Sequence, residues 1–416
     1  MHQESIHIDN PLASEIEELP DGGLLSPQGF TAGGLHAGIK KRKLDLAWLY
    51  SQVPAAAAGV YTQNAFKAAP LVVNEASIAV EGSLQGVLVN SGVANACTGK
   101  QGLEDAYAMR RLLAQRFGMA EHLGAVLSTG VIGEFLPMDR LSAGIAKIQA
   151  FESLRDGQSF EEAIMTTDTV RKRYAVSMSI EGTRVFIGGA AKGSGMIHPN
   201  MATMLAFVTT DAAVEPSSLQ AALRSAAQDT FNMVAVDGDT STNDMVLAMA
   251  NGMAGAAVLS TEHPEWEKFC AGLQIVCGQL AKQIARDGEG ATKLIEVWVK
   301  GAPSEVDAKK AAKAVILSSL VKSAIFGTDA NWGRIVCAVG YSGASVDPDQ
   351  VDIYLGDLQM MENGMPLKFD EDAAKAYLQE SEIRITIDLK VGGAQAVAWG
   401  CDLTYDYVRI NADYRS

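Results

Sequence analysis

The stretch AAKGSGMIHPNMATMLAF (residues 190–207) combines an irregular turn with an apolar segment, and it contains the residue on which the functional hypothesis depends. Gly193, Gly195 and Pro199 predict a turn, and MATMLAF predicts a strand that follows it. Thr203 lies in that segment and is preceded by Ala202, which puts no bulk beside the carbonyl before the threonine. The sequence therefore places a hydroxyl next to a backbone that can adopt a strained turn.

A threonine hydroxyl is a weak nucleophile unless a base lies beside it. A threonine that begins a chain has such a base in its own α-amine, which titrates near about 7.7 to 8.0. Thr203 gains this amine only if the Ala202–Thr203 bond breaks, through attack of its Oγ on the preceding carbonyl and hydrolysis of the resulting ester. Composition alone favours the simpler interpretation, a Gly-rich turn that leads into a core strand.

The whole chain has the length and alternation of a large α/β protein. Its 416 residues, 48% of them hydrophobic, exceed what one core usually supports, so we expect two packed domains or one large α/β unit. The alternating residues of EIRITIDLKV (382–391) predict an antiparallel or mixed sheet with one solvated face. Periodicity and breakers predict helices over about 103–117, 217–231, 265–286 and 306–323, and strands over 84–90, 124–128, 183–189 and 294–300.

The charge balance and the terminal sequence exclude several classes of partner. A net charge of −15 opposes binding to nucleic acid or to an anionic membrane, and the single basic run KKRK (40–43) predicts a solvated turn before a strand or helix. The sequence contains no run of 18 apolar residues, so no membrane span is predicted. The N-terminal segment has neither a secretory signal nor a transit peptide, and five scattered cysteines fit free thiols, so we expect a cytoplasmic protein.

Other chemistries receive weak support from the residue patterns. The six histidines show no i, i+4 pair, so no metal site is predicted, and the acidic run 237–244 lacks the closing glutamate of an EF-hand, which favours a hydrogen-bonded turn. GGAAKGSG (188–195) lacks the order of a phosphate-binding loop, although an anion-binding module built on it is an alternative. Cys97 has no neighbouring histidine to activate it, which favours a structural thiol.

KGSGMIHPNMATML (192–205) closely resembles the self-cleavage signature of the ornithine acetyltransferase (glutamate N-acetyltransferase) family of arginine biosynthesis. Further blocks resemble the same family in the same order, and together they cover the chain from about Gly29 to Ser416. They are VLSTGVIGEFLPM (126–138), MTTDT (165–169), VDGDTSTNDMVLAMANG (236–252), ARDGEGATKLIEV (285–297), SSLVKSAIFGTDANWGRI (318–335) and the terminal NADYRS (411–416).

The resemblance implies an acyltransferase that moves acetyl from N2-acetyl-L-ornithine to L-glutamate by a ping-pong route. Thr203 would be the self-cleavage residue, the nucleophile and the acetyl carrier, so that residues 1–202 form an α chain and residues 203–416 a β chain. Thr129 and Gly130 would form the oxyanion hole. A hydroxyl and a backbone N–H suit that role because both can donate to a tetrahedral oxyanion.

The same resemblance implies the substrate contacts, which are Thr166, Lys192, Thr203, Glu289, Asn411 and Ser416. Lys192 suits a substrate carboxylate and Glu289 an ornithine ammonium. Thr167 stays an open rival to Thr166, and Asp168 is alternatively a turn residue. GTDANWGR, which contains Trp332 and Arg334, is expected to form a packed loop near the site.

The fold implied by the family is a layered αββα sandwich with mixed sheets, related to the D-aminopeptidase type. The α and β fragments would assemble as α2β2, with no cofactor and no metal. Acetyl-CoA as a second acetyl donor stays open. The enzymatic alternative is a related N-terminal-nucleophile amidohydrolase or aminopeptidase, in which water accepts the acyl group.

Overall fold

The computed structural model describes residues 11–149, 156–198 and 204–413. The chain divides into two compact units. Unit 1 comprises Met1–Gly193, Pro199–Phe231 and Thr240–Leu280, and unit 2 comprises Ser194–His198, Asn232–Asp239 and Ala281–Ser416. Both the predicted α chain (1–202) and the predicted β chain (203–416) contribute to each unit, so the predicted cleavage point is not a boundary between structural units.

The strands of the described part are numbered in chain order. They are β1 (Ile16–Glu18), β2 (Phe30–Leu35), β3 (Leu46–Tyr61), β4 (Ser83–Val93), β5 (Gly124–Val131), β6 (Lys172–Ile180), β7 (Thr183–Lys192), β8 (Leu205–Thr210), β9 (Val234–Ala235), β10 (Met245–Ala250), β11 (Leu294–Ala302), β12 (Asp352–Leu355), β13 (Leu358–Glu362), β14 (Met365–Pro366), β15 (Glu382–Asp388) and β16 (Ala394–Cys401).

The helices are α1 (Ala69–Glu81), α2 (Gly99–Phe117), α3 (Met138–Ala146), α4 (Gly157–Ile164), α5 (Pro216–Asp229), α6 (Trp266–Arg286), α7 (Glu305–Leu317), α8 (Ser319–Phe326), α9 (Trp332–Gly340), α10 (Glu371–Tyr377) and α11 (Tyr405–Ala412). Short 3-10 helices cover Pro11–Glu15, Glu121–Leu123 and Phe231–Met233. Among the described helices, none is both long and apolar enough to cross a membrane.

Unit 1 is built on a nine-stranded mixed sheet. Its strand order is β1-β6-β7-β8-β10-β3-β4-β5, and β2 pairs with β3. β4 runs parallel to β5, and β8 runs parallel to β10, whereas β7 and β8 are antiparallel neighbours. The register pairs Lys192 at the end of β7 with Leu205 at the start of β8. The stretch that contains the predicted cleavage point therefore connects two adjacent strands.

Both faces of this sheet are covered by apolar side chains, because successive residues of β3 alternate between them. Leu49 belongs to one core cluster, in which Phe160 of α4 meets Phe207 of β8 edge-on with ring centroids 5.2 Å apart. Tyr50 belongs to the other cluster and stacks on Phe117 of α2 at 4.6 Å. Strands β3, β4 and β5 contribute residues to both clusters and are therefore packed on both faces.

Unit 2 contains a seven-stranded mixed sheet in the order β14-β13-β12-β15-β11-β16-β9. β11 is parallel to β15 and antiparallel to β16. The predicted alternation along β15 is confirmed, since Ile383, Ile385 and Ile387 are buried while the residues between them are partly exposed. The predicted α/β class with mixed sheets is confirmed in both units.

Two local predictions need correction. The helix predicted over 306–323 is two helices, because Ser318 adopts an extended conformation (ψ 109°) and caps α8 by accepting a hydrogen bond from the Val321 amide. GTDANWGR was expected to be a loop, but Trp332 and Arg334 lie in the first turn of α9. At the first boundary the polar residue Ser318 ends α7 and caps α8, and hydrophobic periodicity does not report such a cap.

Glu161 of α4 has a buried carboxyl group, and its titration provides a test of the packing in unit 1. Its side chain is 2% exposed, and its Oε2 has no hydrogen-bond partner among the described residues. Burial raises the pKa of Glu161 to about 7, although Arg173 and Arg171 oppose the shift. In the unfolded chain the group titrates near its ordinary value of 4.5. Ionisation therefore destabilises the fold progressively between these two values and fully above about pH 7.

We expect Glu161→Gln to remove this pH dependence, because glutamine is a neutral isostere of the protonated acid. The difference in unfolding free energy between variant and wild type should grow in favour of the variant from about pH 4.5 to 7, by up to about 3 kcal/mol. Urea unfolding at a series of pH values measures this difference. Parallel stability curves for the two proteins would show that Glu161 does not titrate in this window.

Candidate active site

The carboxyl ends of β4 and β5 bring two of the predicted residues to one edge of the sheet in unit 1. Thr129 pairs with Ser91, and Gly130 pairs with Gly92. Gly130 has φ +133°, and a Cβ at this position would lie 2.2 Å from the carbonyl carbon of Gly92. Only glycine permits this approach of two backbones. The hydroxyl of buried Thr129 and the backbone of Gly130 are thereby held next to each other.

Lys192 at the end of β7 joins this group. Its ammonium lies 2.8 Å from the Thr166 hydroxyl and 3.3 Å from the Thr129 hydroxyl, and the residue is only 8% exposed. The structure therefore brings together three residues that are far apart in sequence and that the family resemblance had assigned to the site. The threonine that contacts Lys192 is Thr166, the first of the two candidates in MTTDT.

Asp168 links this group to the turn that precedes the predicted cleavage point. One carboxylate oxygen accepts hydrogen bonds from the Lys172 ammonium (2.7 Å) and the Gly193 amide (2.7 Å), and the other accepts from the Thr166 amide (3.0 Å). The side chains of Asp168 and Lys172 are both 0% exposed. Asp168 is thus a buried anchor, a stronger role than the turn residue allowed as an alternative by the sequence.

Burial by itself would raise the pKa of Asp168. The ammonium groups of Lys172 and Lys192 and the hydrogen bond from the Gly193 amide outweigh it and hold the pKa well below the usual range. The surroundings of Asp168 therefore stabilise its ionised form, the carboxylate.

The remaining described candidates lie in unit 2. The Asn411 amide of α11 donates a hydrogen bond of 2.7 Å to Glu289 Oε2, and the Glu289 amide donates to the Ser194 carbonyl. A Cβ on Gly195 would lie 2.3 Å from the Glu289 carboxylate, so the turn residue must be small for the carboxylate to lie against it. Glu289 and Asn411 are therefore brought together beside the beginning of the turn.

Asp237 anchors the same turn and was predicted only as part of a hydrogen-bonded turn. Its carboxylate accepts from the amides of Met196 (2.6 Å), Ile197 (2.9 Å) and Asp239 (3.2 Å). Burial, followed by the neighbouring Asp237 carboxylate, raises the pKa of Tyr407. The prediction of a hydrogen-bonded turn at 237–244 agrees with these contacts. No group of three or more metal-ligating side chains lies together in the described residues.

Ala202, Thr203 and Ser416 lie outside the described residues. Their neighbours in sequence are placed. The Met204 carbonyl accepts a hydrogen bond of 2.9 Å from the Met245 amide, and residues 194–198 are held in unit 2 by Asp237 and by the pairing of the Ile197 carbonyl with the Val236 amide. The described chain is therefore anchored on both sides of the predicted cleavage segment.

Sequence reasoning missed the structural roles of Asp168 and Asp237. Each residue stands in one family block, but the turn amide that it accepts from lies in another: Gly193 is 25 positions from Asp168, and Met196 is 41 positions from Asp237. No spacing rule within one segment reports such pairs. The available signal was only that Asp168 lies two positions after Thr166, which was already assigned to the site.

The fold and this polar group define an α/β protein whose site is built from hydroxyl, amide, lysine and carboxylate groups at strand ends. A family model described as the ArgJ family matches residues 31–416. The chain is 55% identical over 403 residues to an arginine biosynthesis bifunctional protein ArgJ from Geobacillus kaustophilus, covering 97% of this chain and 98% of that one. It is 53% identical to the Bacillus subtilis protein of the same name, covering 95% and 97%.

A solved structure of an arginine biosynthesis bifunctional protein from Bacillus halodurans is 54% identical to this chain, with a TM-score of 0.50. The match covers 50% of this chain and 99% of the solved chain. The chain belongs to the ArgJ family. The resemblance read from the sequence blocks is thereby confirmed over nearly the full length.

We expect Asp168→Asn to destabilise the protein by about 3 to 5 kcal/mol, because it leaves the buried Lys172 ammonium without its carboxylate partner. Chemical denaturation measures the change in unfolding free energy. The matched control is the double variant Asp168→Asn/Lys172→Met, which removes both charges and should recover part of the loss. A double variant whose cost equals the sum of the two single costs would contradict coupling between these side chains.

Proposed function

We propose that this chain is an acyltransferase that carries acetyl from N2-acetyl-L-ornithine to L-glutamate through an acetyl-Thr203 intermediate. The observation that carries the proposal is the 55% identity, over 97% of the chain, to a bifunctional protein of arginine biosynthesis. The substrates are small molecules, and the placement of Thr129, Thr166 and Lys192 around one point supplies hydroxyl donors and a cation suited to a carboxylate-bearing substrate.

The first step in the proposal is self-cleavage. The Oγ of Thr203 attacks the Ala202 carbonyl, the peptide nitrogen leaves as the free α-amine of Thr203, and water hydrolyses the resulting ester, so that one peptide bond is lost and one water is consumed. The Bacillus halodurans structure supports self-cleavage. Its solved chain is matched over 99% of its length by only 50% of this chain, so it is about half as long as this chain. The products are the fragments 1–202 and 203–416.

Transfer then proceeds in two balanced halves. The α-amine of Thr203 takes the proton from Oγ as Oγ attacks the acetyl carbonyl of acetylornithine, and it returns the proton to the departing ornithine amine. Glutamate enters as the free amine, attacks the acetyl ester, and releases the Thr203 hydroxyl. The Thr129 hydroxyl and the Gly130 amide donate to the oxyanion in both halves, and one such donor is typically worth about 2.7 to 4 kcal/mol.

The substrate contacts proposed are Lys192 for the carboxylate, Thr166 beside it, and Glu289 for the ornithine ammonium. Asn411 supports Glu289 through the hydrogen bond between them, which orients the carboxylate. Ser416 completes the set by resemblance to the family. We further propose that acetyl-CoA serves as a second donor, in keeping with the word bifunctional in the names of the relatives, and that no other cofactor takes part.

An α2β2 assembly and a cytoplasmic location are also part of this proposal. All five cysteines are free, with Cys97 and Cys337 exposed and Cys277 and Cys401 buried, which suits a reducing compartment. The antiparallel pairing of β7 with β8 supports retention of both fragments in one protomer after cleavage, since it joins a strand of the α chain to a strand of the β chain.

The central test is Thr203→Ala. We expect the wild type to show two fragments on a denaturing gel and the variant to show one uncut band and no acetyl transfer, because alanine lacks the attacking oxygen. Thr203→Ser is the matched control and should cut and transfer, since it keeps the hydroxyl. Mass spectrometry of wild-type protein incubated with acetylornithine alone should find one acetyl group on the β fragment.

Ornithine release tests transfer against hydrolysis, because only a transferase depends on the acceptor. Equal rates of ornithine release with and without glutamate would contradict the proposal, as would full activity in Thr203→Ala. Glutamate acetylation from acetyl-CoA in the absence of acetylornithine tests the second donor in the same protein.

A paired substitution tests the substrate contact. We expect Thr166→Ala to raise KM for both amino-acid substrates by about tenfold, because it removes a hydroxyl that lies 2.8 Å from the Lys192 ammonium, while Thr167→Ala should have a smaller effect. Steady-state kinetics measures both. A larger effect of the Thr167 variant would transfer the role to that residue.

A further inference from the structure

Lys40 departs from the solvated turn predicted for the run KKRK. Lys41, Arg42 and Lys43 are exposed, as predicted, but Lys40 is partly buried and its ammonium points inward. The ammonium donates hydrogen bonds to the carbonyl of Met165 (2.6 Å) and to the carbonyl of Leu44 (3.1 Å). A lysine that gives up water for two backbone carbonyls is held in place at a cost in desolvation.

The backbone of Lys40 is held as firmly as its side chain. Its amide donates to Asp45 Oδ2 at 2.9 Å, and Asp45, itself 0% exposed, also accepts from the amides of Ala37 and Gly38. The aliphatic part of the Lys40 side chain lies beside Gly92, where an added Cβ would lie 3.4 Å from Lys40 Cγ. Gly92 is the residue whose backbone contacts Gly130. Lys40 thus lies beside the end of β4, which pairs with the end of β5 that carries Thr129 and Gly130.

The two ends of the Met165–Asp168 segment are held by different cations. Lys40 binds the Met165 carbonyl, whereas Lys172 binds the Asp168 carboxylate. Thr166 lies between these contacts and presents its hydroxyl to Lys192. Loss of the Lys40 contact would free the segment on one side only, next to the residue that contacts Lys192.

We propose that Lys40 is a positioning residue for acyl transfer, which in its charged form holds Thr166 in register with Lys192 and adds a second positive charge to the carboxylate-binding group. The inference rests on the proposed function and concerns the same site. Because Lys40 acts through Thr166 and Lys192, its loss should affect KM for both amino-acid substrates more than kcat.

The charge on Lys40 is sensitive to pH. Burial lowers its pKa to about 8; Asp45 and Asp168 counteract the shift, and Lys192 and Lys43 reinforce it. The ammonium therefore loses its proton as the pH rises through about 8, and a neutral amine is a weaker donor and adds no positive charge. The wild-type kcat/KM should fall on the alkaline side over this range.

The test compares Lys40→Met and Lys40→Arg with the matched control Lys41→Met, which removes an exposed charge from the same turn. We expect Lys40→Met to raise KM about tenfold or more and to lose the alkaline limb near pH 8, with kcat less affected. Lys40→Arg should retain low KM and move the limb to higher pH, because guanidinium stays charged. Lys41→Met should behave as wild type.

Steady-state kinetics across about pH 6.5 to 9.5 tests the inference. The fraction of self-cleaved protein and the Tm are recorded for each variant. A Lys40→Met protein with the KM and pH profile of an active wild type overturns the inference alone. If that variant does not fold, an unshifted alkaline limb in Lys40→Arg overturns it instead. A wild type that transfers no acetyl group overturns the proposed function and this inference with it.

Discussion

The buried carboxylate of Asp168 is the constraint on which the site in unit 1 depends. An ion with no exposed surface is tolerated only when donors converge on it, and three do so here: the Lys172 ammonium and the amides of Thr166 and Gly193. The Thr166 amide and the Lys172 ammonium belong to the same short stretch as Asp168, whereas the Gly193 amide directly follows β7. The hydrogen bonds to this one carboxylate therefore hold the end of β7, the start of β6 and the turn at Thr166 together. Lys192 is the last residue of β7 and is positioned by the same contacts.

The connection between β7 and β8 explains how a chain can be cut in this region and still hold its shape. Residues Ile187–Lys192 pair in register with residues Leu205–Thr210, and β8 pairs on its other side with β10, which lies next to β3. The hydrogen bonds lie in the strands, whereas the predicted scissile bond lies in the connection. Breaking that bond removes none of the ladder, so the proposed chemistry requires no dismantling of the core.

Buried ionisable groups in unit 1 fall into two kinds. Asp168 has a full set of donors, which depress its pKa, whereas Glu161 has an Oε2 without a hydrogen bond in the described residues, and burial raises its pKa to about 7. Lys40 is a cation with both kinds of influence. Two carbonyl groups accept hydrogen bonds from its ammonium, but burial lowers its pKa to about 8. Of these three groups only Asp168, which lies at the candidate site, has its ionised form stabilised by its surroundings.

The amino-acid sequence by itself determined the α/β class, most of the strands, the alternating face of β15 and the family, because periodicity and local motifs are written within single segments. It also named Thr129, Thr166 and Lys192 through the family blocks. Only the tertiary structure decided that these three meet, that Asp168 accepts from the Gly193 amide and Asp237 from the Met196 amide, and that the Lys40 side chain turns inward from a basic run. Those facts depend on hydrogen bonds and burial between segments distant in sequence, and pairing across such distances is set by the packing of the sheet.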